Sequence, residues 1–266
     1  MTYSLTSLAL VAVSVGAGAV YLGLTPATWT NCRFAYNLSE SDGYYAAFGG
    51  GVFATQGEYL AFTNCVFWAN WNDSISSYPL VGGGGALCAD RIDTLSLINC
   101  TIAGNVSYAG GLERPAVLWG EGFLRVHNSI VACNGEDPSD EASCGPNIGY
   151  LGTPTLNDFY ISHTCVYPDL DDIAGIWRNH SPLTNRVVDP GFASGWETSG
   201  ILQLSADSPL IDRGSNFVDI DPAEPGVQFL PEIDFAGGWR IVDGNADGCA
   251  TVDIGAYELQ GGGGGG

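Results

Sequence analysis

The stretch FTNCVFWAN, residues 62–70, has two related copies, WTNCRFAYN at residues 29–37 and LINCTIAGN at residues 97–105. The three copies share an Asn-Cys pair, an apolar residue two positions after the Cys, and a closing Asn six positions after the first Asn. Internal repeats of this kind are typical of architectures in which each unit buries its apolar face against its neighbours. The repeat therefore decides the fold.

A longer unit surrounds this stretch and occurs four times. Each unit opens with a Gly or Pro that precedes the first Asn by 13 or 14 positions, and Gly-rich segments of variable length separate the units. The opening residues are Gly18, Gly51, Gly85 and Pro115, and the first Asn residues are Asn31, Asn64, Asn99 and Asn128. The fourth unit keeps the spacing but has Ser129 in place of the Cys.

Apolar residues alternate with period two within the unit, which indicates strands rather than helices. Cys65 and Phe67 share a face that we predict to point inward, whereas Val66 and Trp68 share the outward face. We expect solvent at Val66, and solvent, a loop or another subunit at Trp68. The inward positions line up between units at two levels, namely Cys32, Cys65, Cys100 and Ser129, then Phe34, Phe67, Ile102 and Val131.

Short strands repeated in this way predict an all-β fold, a single-stranded parallel β-helix (solenoid) with long loops and a C-terminal cap. Equivalent residues then stack at the inter-strand spacing of ~4.8 Å. Asn tolerates the left-handed backbone that bends require, and stacked amides form hydrogen-bonded ladders. We therefore predict a structural Asn ladder at Asn31, Asn64, Asn99 and Asn128.

The repeats also resemble a known family. GGGVFA with FTNCVFWAN, followed by GGGGALCA with LINCTIAGN, resembles the polymorphic-outer-membrane-protein type of repeat, found in right-handed parallel β-helix proteins of bacterial surfaces. SADSPLIDRGS (205–215) and DFAGGWRIVDGNADGCATVDIGAYELQ (234–260) resemble the C-terminal region of secreted β-helix proteins called choice-of-anchor Q proteins. The resemblance covers most of residues 16–260, and it implies a right-handed helix and export more than any reaction.

Three segments follow from the repeat. Residues 1–166 are predicted to form β-helix turns, with residues 1–17 as a signal remnant or an N-terminal cap strand. Residues 167–260 are predicted to form the last turns with long loops and a C-terminal cap, because an open last turn exposes an unpaired sheet edge. Residues 261–266 are a Gly tail.

The charge balance is strongly acidic. The chain has 29 Asp and Glu against 8 Arg and no Lys, which gives a net charge of −21. This disfavours nucleic-acid partners, because phosphate contacts need cations, and permits divalent cations or cationic partners. No segment other than the N-terminus approaches the ~20 apolar residues of a membrane helix, so we expect no transmembrane segment.

The cysteines allow two interpretations. Cys32, Cys65 and Cys100 are predicted to stack inside the fold, either as buried small residues or as a disulfide between neighbouring turns. Cys133 and Cys144 bracket an acidic loop and are candidates for a disulfide in an exported protein.

One motif resembles a calcium loop. DGNADG (243–248) places oxygen ligands at Asp243, Asn245 and Asp247, and Asp253 is the candidate closing ligand, one position short of the usual spacing. Calcium is therefore a candidate cofactor, and the alternative is an Asx-rich turn.

Glycosylation sequons start at Asn37, Asn72, Asn105 and Asn179, and a further one starts at Asn99 inside the repeat. They are candidates for glycan attachment in an exported protein if the host glycosylates.

Catalytic residues are not nominated by the sequence. A lyase-like site would combine carboxylates, calcium and an Arg, but the Arg residues are scattered, so whether the chain is an enzyme stays open, with a non-enzymatic role favoured. Tyr44, Tyr45, Trp68 and Trp71 are candidates for a glycan platform, a subunit interface or loop packing. We predict a secreted or cell-surface structural or adhesive protein that assembles into extracellular filaments, with self-association or a cell-surface glycan as partner. The alternative is a carbohydrate-binding or polysaccharide-cleaving β-helix.

Overall fold

The computed structural model describes residues 2–4, 18–24, 26–41, 47–74, 82–109, 111–135, 144–150, 159–168, 183–218 and 230–261. These residues form 18 strands and one short helix. In chain order they are β1 (Thr2–Ser4), β2 (Val20–Gly23), β3 (Ala27–Thr30), β4 (Arg33–Ala35), β5 (Leu38–Ser41), β6 (Val52–Thr63), β7 (Val66–Trp68), β8 (Trp71–Ser74), β9 (Leu87–Ile98), β10 (Thr101–Ala103), β11 (Val106–Ala109), β12 (Leu112–Glu113), β13 (Val117–Gly120), β14 (Phe123–His127), β15 (Ile130–Ala132), β16 (Ile148–Tyr150), β17 (Phe159–Ser162), β18 (Cys165–Tyr167) and α1 (Trp196–Ser199).

The strands stack into three sheets that form a parallel β-solenoid of about four turns. Sheet A has nine strands in the path β1-β3-β6-β9-β13-β16, with β2, β14 and β17 paired alongside. Sheet B has the order β18-β15-β10-β7-β4, and sheet C the order β12-β11-β8-β5. The pairings among these strands are parallel except that of β11 with β12. The predicted all-β solenoid is confirmed.

Single residues with left-handed backbone bend the chain between strands or, at Gln56 and Arg91, within the long strands β6 and β9. Their φ angles lie between 46° and 65°, and residues at the same bend of successive coils form rows. The rows are Leu24, Gln56, Arg91 and Glu121, then Asn31, Asn64, Asn99, Asn128 and His163, then Tyr36, Ala69, Gly104 and Cys133. The Asn residues of the repeat therefore stand at bends, which Asn adopts at low cost.

The inward faces of the strands form one core, as predicted. Cys65 and Phe67 are fully buried, and the ring of Phe67 stacks on that of Phe34 with 4.7 Å between centroids. The eight residues predicted at the two inward levels are each at most 1% exposed. Aromatic rings stacked on successive coils bury a large apolar area, whereas a single coil has no neighbouring ring to cover its own.

The outer face of sheet B is also buried, and for Val66 the expectation of a solvent face is wrong. Val66 is 0% exposed, and Trp68, for which solvent, a loop or another subunit were the alternatives, is 3% exposed. They belong to a second apolar cluster with residues of the C-terminal region, including Trp196, Leu210 and Ile254. Alternation tells which residues share a face, but not whether a distant segment covers that face.

The C-terminal region first extends sheet B and then covers its side. The amide of Arg186 donates to the carbonyl of Thr164 at 2.8 Å, and the amide of Val166 donates to the carbonyl of Arg186 at 3.1 Å. Described residues beyond this rung pack on the outer face of sheet B rather than only on the end of the solenoid. Residues 5–17, 169–182 and 262–266 of the predicted segments lie outside the described residues.

A continuous ladder of buried amides runs along the bend between sheets B and C. Each side-chain Nδ2 donates to the Oδ1 of the Asn one rung further, at 2.7, 2.8, 3.0 and 2.9 Å in order. The last Nδ2 donates to the carbonyl of Pro168 at 2.7 Å. The ladder consists of Asn37, Asn70, Asn105, Asn134 and Asn147.

The row predicted to form the ladder does so only in part. The Asn64 amide donates to the side chain of Asn31, whereas both polar atoms of the buried Asn99 side chain have no hydrogen-bond partner among the residues that the structure describes. The Asn128 side chain instead holds the backbone of Ser215 through two hydrogen bonds of 2.8 Å. The continuous ladder therefore belongs to the closing Asn of the repeat.

Replacing the central rung tests the ladder. Asn70→Ala should lower the free energy of unfolding by about 2–4 kcal/mol. The substitution removes two hydrogen bonds that the side-chain amide donates, and it leaves buried acceptors on the neighbouring coils without a donor. Urea unfolding monitored by circular dichroism measures the change. The exposed Gln203→Ala serves as control and should change stability by less than about 0.5 kcal/mol. Equal effects of the two substitutions would contradict the role of the ladder.

Candidate functional site

Arg240 lies at the centre of the densest polar network among the described residues. Its side chain is 1% exposed and makes an ion pair with Glu258 at 2.9 Å. The guanidinium also donates to the carbonyls of Gly255 at 3.0 Å and Ala256 at 2.8 Å, and to the side chain of Asn64. Arg240 therefore ties the C-terminal segment to the solenoid.

Three carboxylates of the C-terminal region accept backbone amides rather than facing an open cleft. Asp253 accepts from Asp212 and from Leu259, both at 2.7 Å. Glu258 accepts from Asp253 at 2.8 Å, and its own amide donates to Asp234 at 2.9 Å. Each carboxylate fixes a turn in a segment without regular secondary structure, because it accepts hydrogen bonds from backbone amides that have no partner in a β-sheet.

Further contacts fasten this segment to sheet B. The amide of Ala256 donates to the hydroxyl of Thr101 at 2.9 Å, and that of Gly255 donates to the carbonyl of Asn128 at 2.8 Å. We call residues 233–260, with these contacts, the C-terminal clasp. Sequence reasoning missed it, although its signal was present: SPLIDRG supplies Asp212 and VDIGAYE supplies Asp253 and Glu258.

Burial dominates the acid–base properties of the clasp. It raises the pKa of Asp253 to about 6, against the hydrogen bonds from Leu259 and Asp212, and the charge of Asp212 adds to the rise. It also raises the pKa of Glu258, although the nearby Arg240 acts in the opposite direction and keeps the ion pair. These groups stabilise a fold and are shielded from any substrate.

The predicted calcium loop forms an Asx-rich turn. The carboxylate of Asp243 accepts the amides of Asp247 at 3.0 Å and Gly248 at 2.8 Å, and Asn245 Oδ1 accepts the amide of Asp247 at 2.9 Å. Asp253, the candidate closing ligand, is 1% exposed and belongs to the clasp instead. Over the described residues, no group of three or more His, Cys, Asp or Glu side chains is arranged to hold a metal ion.

The stacked cysteines act as hydrogen-bond donors. The thiol of Cys65 donates to the carbonyls of Thr63 at 3.3 Å and Trp29 at 3.5 Å, and Cys32 and Cys100 likewise donate to the carbonyl two residues before them. In the next coils the hydroxyls of Ser129 and Thr164 make the same bond. This position therefore requires a small side chain with a hydrogen-bond donor, either a thiol or a hydroxyl. All three cysteines are free thiols.

Cys133 and Cys144 contact each other as thiols, with both side chains buried. The hydrogen bond to Cys144, followed by burial, raises the pKa of Cys133 above its ordinary value. An antiparallel bridge between Gly135 and Cys144 brings them together at the base of the acidic loop.

The sequon residues lie inside the fold. Asn37, Asn72 and Asn105 are 1%, 0% and 1% exposed, and Asn37 and Asn105 are rungs of the amide ladder. None of these three amides is accessible to a glycan in the folded chain. Asn179 lies outside the described residues.

Two histidines stack at the Asn128 bend. The rings of His127 and His163 are 5.2 Å apart, and His127 Nδ1 is 2.5 Å from the hydroxyl of Ser162. Burial, followed by the charge of His163, lowers the pKa of His127 to about 3. Ser162 is only 1% exposed, so this His–Ser pair has no open face for a substrate.

Sheet C presents the open face on which aromatic and acidic side chains lie together. Alternation points Glu40, Trp71, Asp73 and Tyr108 outward, while the intervening Ser and Asn residues are buried. Trp71 is 40% exposed, and its ring centroid is 6.2 Å from that of Tyr108. Glu113 on β12 hydrogen-bonds the Tyr108 hydroxyl at 3.5 Å. We call these five residues the sheet C face.

The aromatic residues predicted as a platform thus separate. Trp71 is on the sheet C face, whereas Trp68 is buried under Tyr36, with the Arg33 guanidinium 5.3 Å from the centre of its ring. Tyr44 and Tyr45 lie outside the described residues.

Comparison with known proteins gave no match to a family model, a curated protein or a solved structure. Within the described part of the chain, no helix is long and apolar enough to cross a membrane.

Substitutions at Cys65 test whether its thiol acts as a hydrogen-bond donor or only fills space in the core. Cys65→Ser should change the free energy of unfolding by less than about 1 kcal/mol, because Ser129 makes the same donation in another coil. Cys65→Val should cost about 1–3 kcal/mol more, since a buried carbonyl loses its donor. Urea unfolding compares the two, and a Val variant as stable as the Ser variant would show that the thiol only fills space.

Breaking the ion pair should release the clasp. Arg240→Met leaves Glu258 buried without its cation and should lower the free energy of unfolding by about 3–5 kcal/mol. Hydrogen exchange should rise first in residues 233–260, while sheet A keeps its protection. The exposed Arg213→Met is the matched control. Uniform exchange over the whole chain in Arg240→Met would contradict a separate clasp.

Two buried groups should change stability in opposite directions between pH 4 and 6. The contribution of Asp253 is present below its ordinary pKa of 3.8 and is lost as the pH rises through about 6, by up to about 3 kcal/mol. That of His127 is present above 6.5 and is lost as the pH falls through about 3. Urea midpoints between pH 3 and 8 measure both. Relative to the parent, Asp253→Asn should make the midpoint rise more steeply with pH between 4 and 6, because the opposing loss is removed, whereas the exposed Asp207→Asn should not.

Proposed function

We propose that this protein is a secreted or cell-surface β-solenoid with a structural and adhesive role. The observation that carries the proposal is how its chemistry is distributed. The amide ladder, the clasp carboxylates and the stacked thiols all satisfy backbone or neighbouring coils, whereas the sheet C face leaves aromatic rings and carboxylates at the surface. A rigid scaffold with an open aromatic face suits attachment better than catalysis.

Relationship and location belong to the same proposal. The repeats and the SPLIDRG and VDIGAYE segments support a relationship to surface β-helix proteins with polymorphic-outer-membrane-protein-type repeats and a choice-of-anchor Q-like end. The contact between Cys133 and Cys144 supports an oxidising compartment, where these thiols would form a disulfide. Mass spectrometry of unreduced peptides from the exported protein tests the bridge.

Carbohydrate binding is the second candidate, and the sheet C face favours it because exposed rings and carboxylates are the groups that hold sugars. Polysaccharide cleavage is less well supported. Arg240, which lies among carboxylates as a lyase base would, is 1% exposed, so a polymer cannot reach it in the folded chain.

Adhesion is tested with protein-coated beads. Beads that carry the folded chain should attach under flow to cell or polysaccharide surfaces more strongly than beads coated with an unrelated acidic protein. Attachment equal to that of the control would overturn the adhesive role. Electron microscopy of the same material tests assembly into filaments, and a strictly monomeric particle would overturn that part.

A further inference from the structure

We propose that the sheet C face binds a glycan that carries free amino groups, such as a chain of glucosamine units. This inference rests on the proposed adhesive function and names its ligand class. Four observations carry it: the geometry of two rings, the stacking of like charges, an adjoining depression and the protected edge of the sheet.

The two rings form a surface that spans neighbouring strands. Trp71 lies on β8 and Tyr108 on β11, with centroids 6.2 Å apart and ring planes at 44°. Rings held by two strands of a solenoid keep their spacing without a ligand, so little conformational entropy is lost on binding. Their faces attract both the apolar side of a sugar ring and an ammonium group.

Carboxylates of like charge are stacked beside the rings. Glu40 and Asp73 occupy directly opposite positions on β5 and β8, and the next residue in that row is Tyr108. Like charges at opposed positions destabilise a sheet, and a cationic group held between them relieves the repulsion. With Glu113 adjoining and a net charge of −21, the face attracts amines and repels uronates or sulfated sugars.

A shallow depression adjoins the face beyond Tyr108. It is too shallow to enclose a ligand, and Val106, Glu113, Arg114 and Pro146 line part of it. Glu113 belongs both to the depression and to the face, and Val106 lies on the same strand as Tyr108. A chain of several sugars can therefore contact more of this surface than a single sugar, so the ligand is expected to be an oligomer.

The edge of the sheet beside Tyr108 favours a glycan over a peptide strand. β11 pairs with β12 in antiparallel fashion, with Tyr108 opposite Glu113, so this edge is not available for strand addition. A ligand has to lie across the face, where ring stacking and carboxylate acceptors suit a chain of hydroxyl- and amine-bearing rings.

Calorimetry with four tetramers tests the proposal: glucosamine, N-acetylglucosamine, galacturonate and lysine. The glucosamine tetramer should bind, with affinity that falls as salt is raised, and neither acetylated nor acidic tetramers should match it. Trp71→Ala and the nearly isosteric Asp73→Asn should each weaken binding about tenfold. Trp239→Ala, which removes a Trp that is 69% exposed on the clasp, is the matched control and should bind as the parent does.

Four results would overturn the proposal: no binding of the glucosamine tetramer, equal affinity for its acetylated form, equal affinity for tetralysine, or unchanged binding by the folded Trp71→Ala and Asp73→Asn variants. Bead attachment separates this failure from that of the proposed function. If the beads attach but the chain does not bind the glucosamine tetramer, only the ligand class is overturned. If the beads do not attach and the tetramer does not bind, both the ligand class and the adhesive function are overturned.

Discussion

The amide ladder from Asn37 to Asn147 is the interaction on which the rest of the structure depends. Each rung joins the next coil and also fixes the backbone of the coil before it, since the Asn70 amide donates both to Asn105 and to the carbonyl of Phe34. A slip by one residue would exchange the inner and outer faces of every strand in that coil. The ladder makes such a slip costly, because buried amides would lose their partners.

Covering one flank is the second requirement of this solenoid. Sheet B has apolar residues on both faces, so its strands resemble those of sheets that are buried on each side. The clasp supplies the outer layer, and its buried Arg240 selects one docking position because few arrangements satisfy a guanidinium. The coils and the clasp are therefore interdependent: the repeat alone would expose Val66 and Ile130.

Much of the fold was predictable because short stretches of sequence determine it. Alternation and spacing placed Cys65 and Phe67 in the core and Asn64 at a bend. The clasp was not predictable, since the residues that cover the outer face of sheet B, such as Ile254, come from a distant part of the chain and no period relates them to Val66. Nor does sequence tell which of two equally spaced Asn rows turns its amides inward. The candidate site was predictable only in part. The sequence indicated Trp71 as a candidate, but its pairing with Tyr108 depends on the register of β8 and β11.

The ladder also gives the molecule a direction. Every donor points toward the C-terminal end, where the carbonyl of Pro168 accepts the last hydrogen. At the other end of the ladder, the buried Oδ1 of Asn37 has no donor among the described residues. The two ends of the ladder are thus chemically unlike: a coil stacked before Asn37 has to bring a donor, whereas a coil stacked after Asn147 has to bring an acceptor, as Pro168 does. A coil transplanted into this fold by engineering therefore fits the ladder in one direction only.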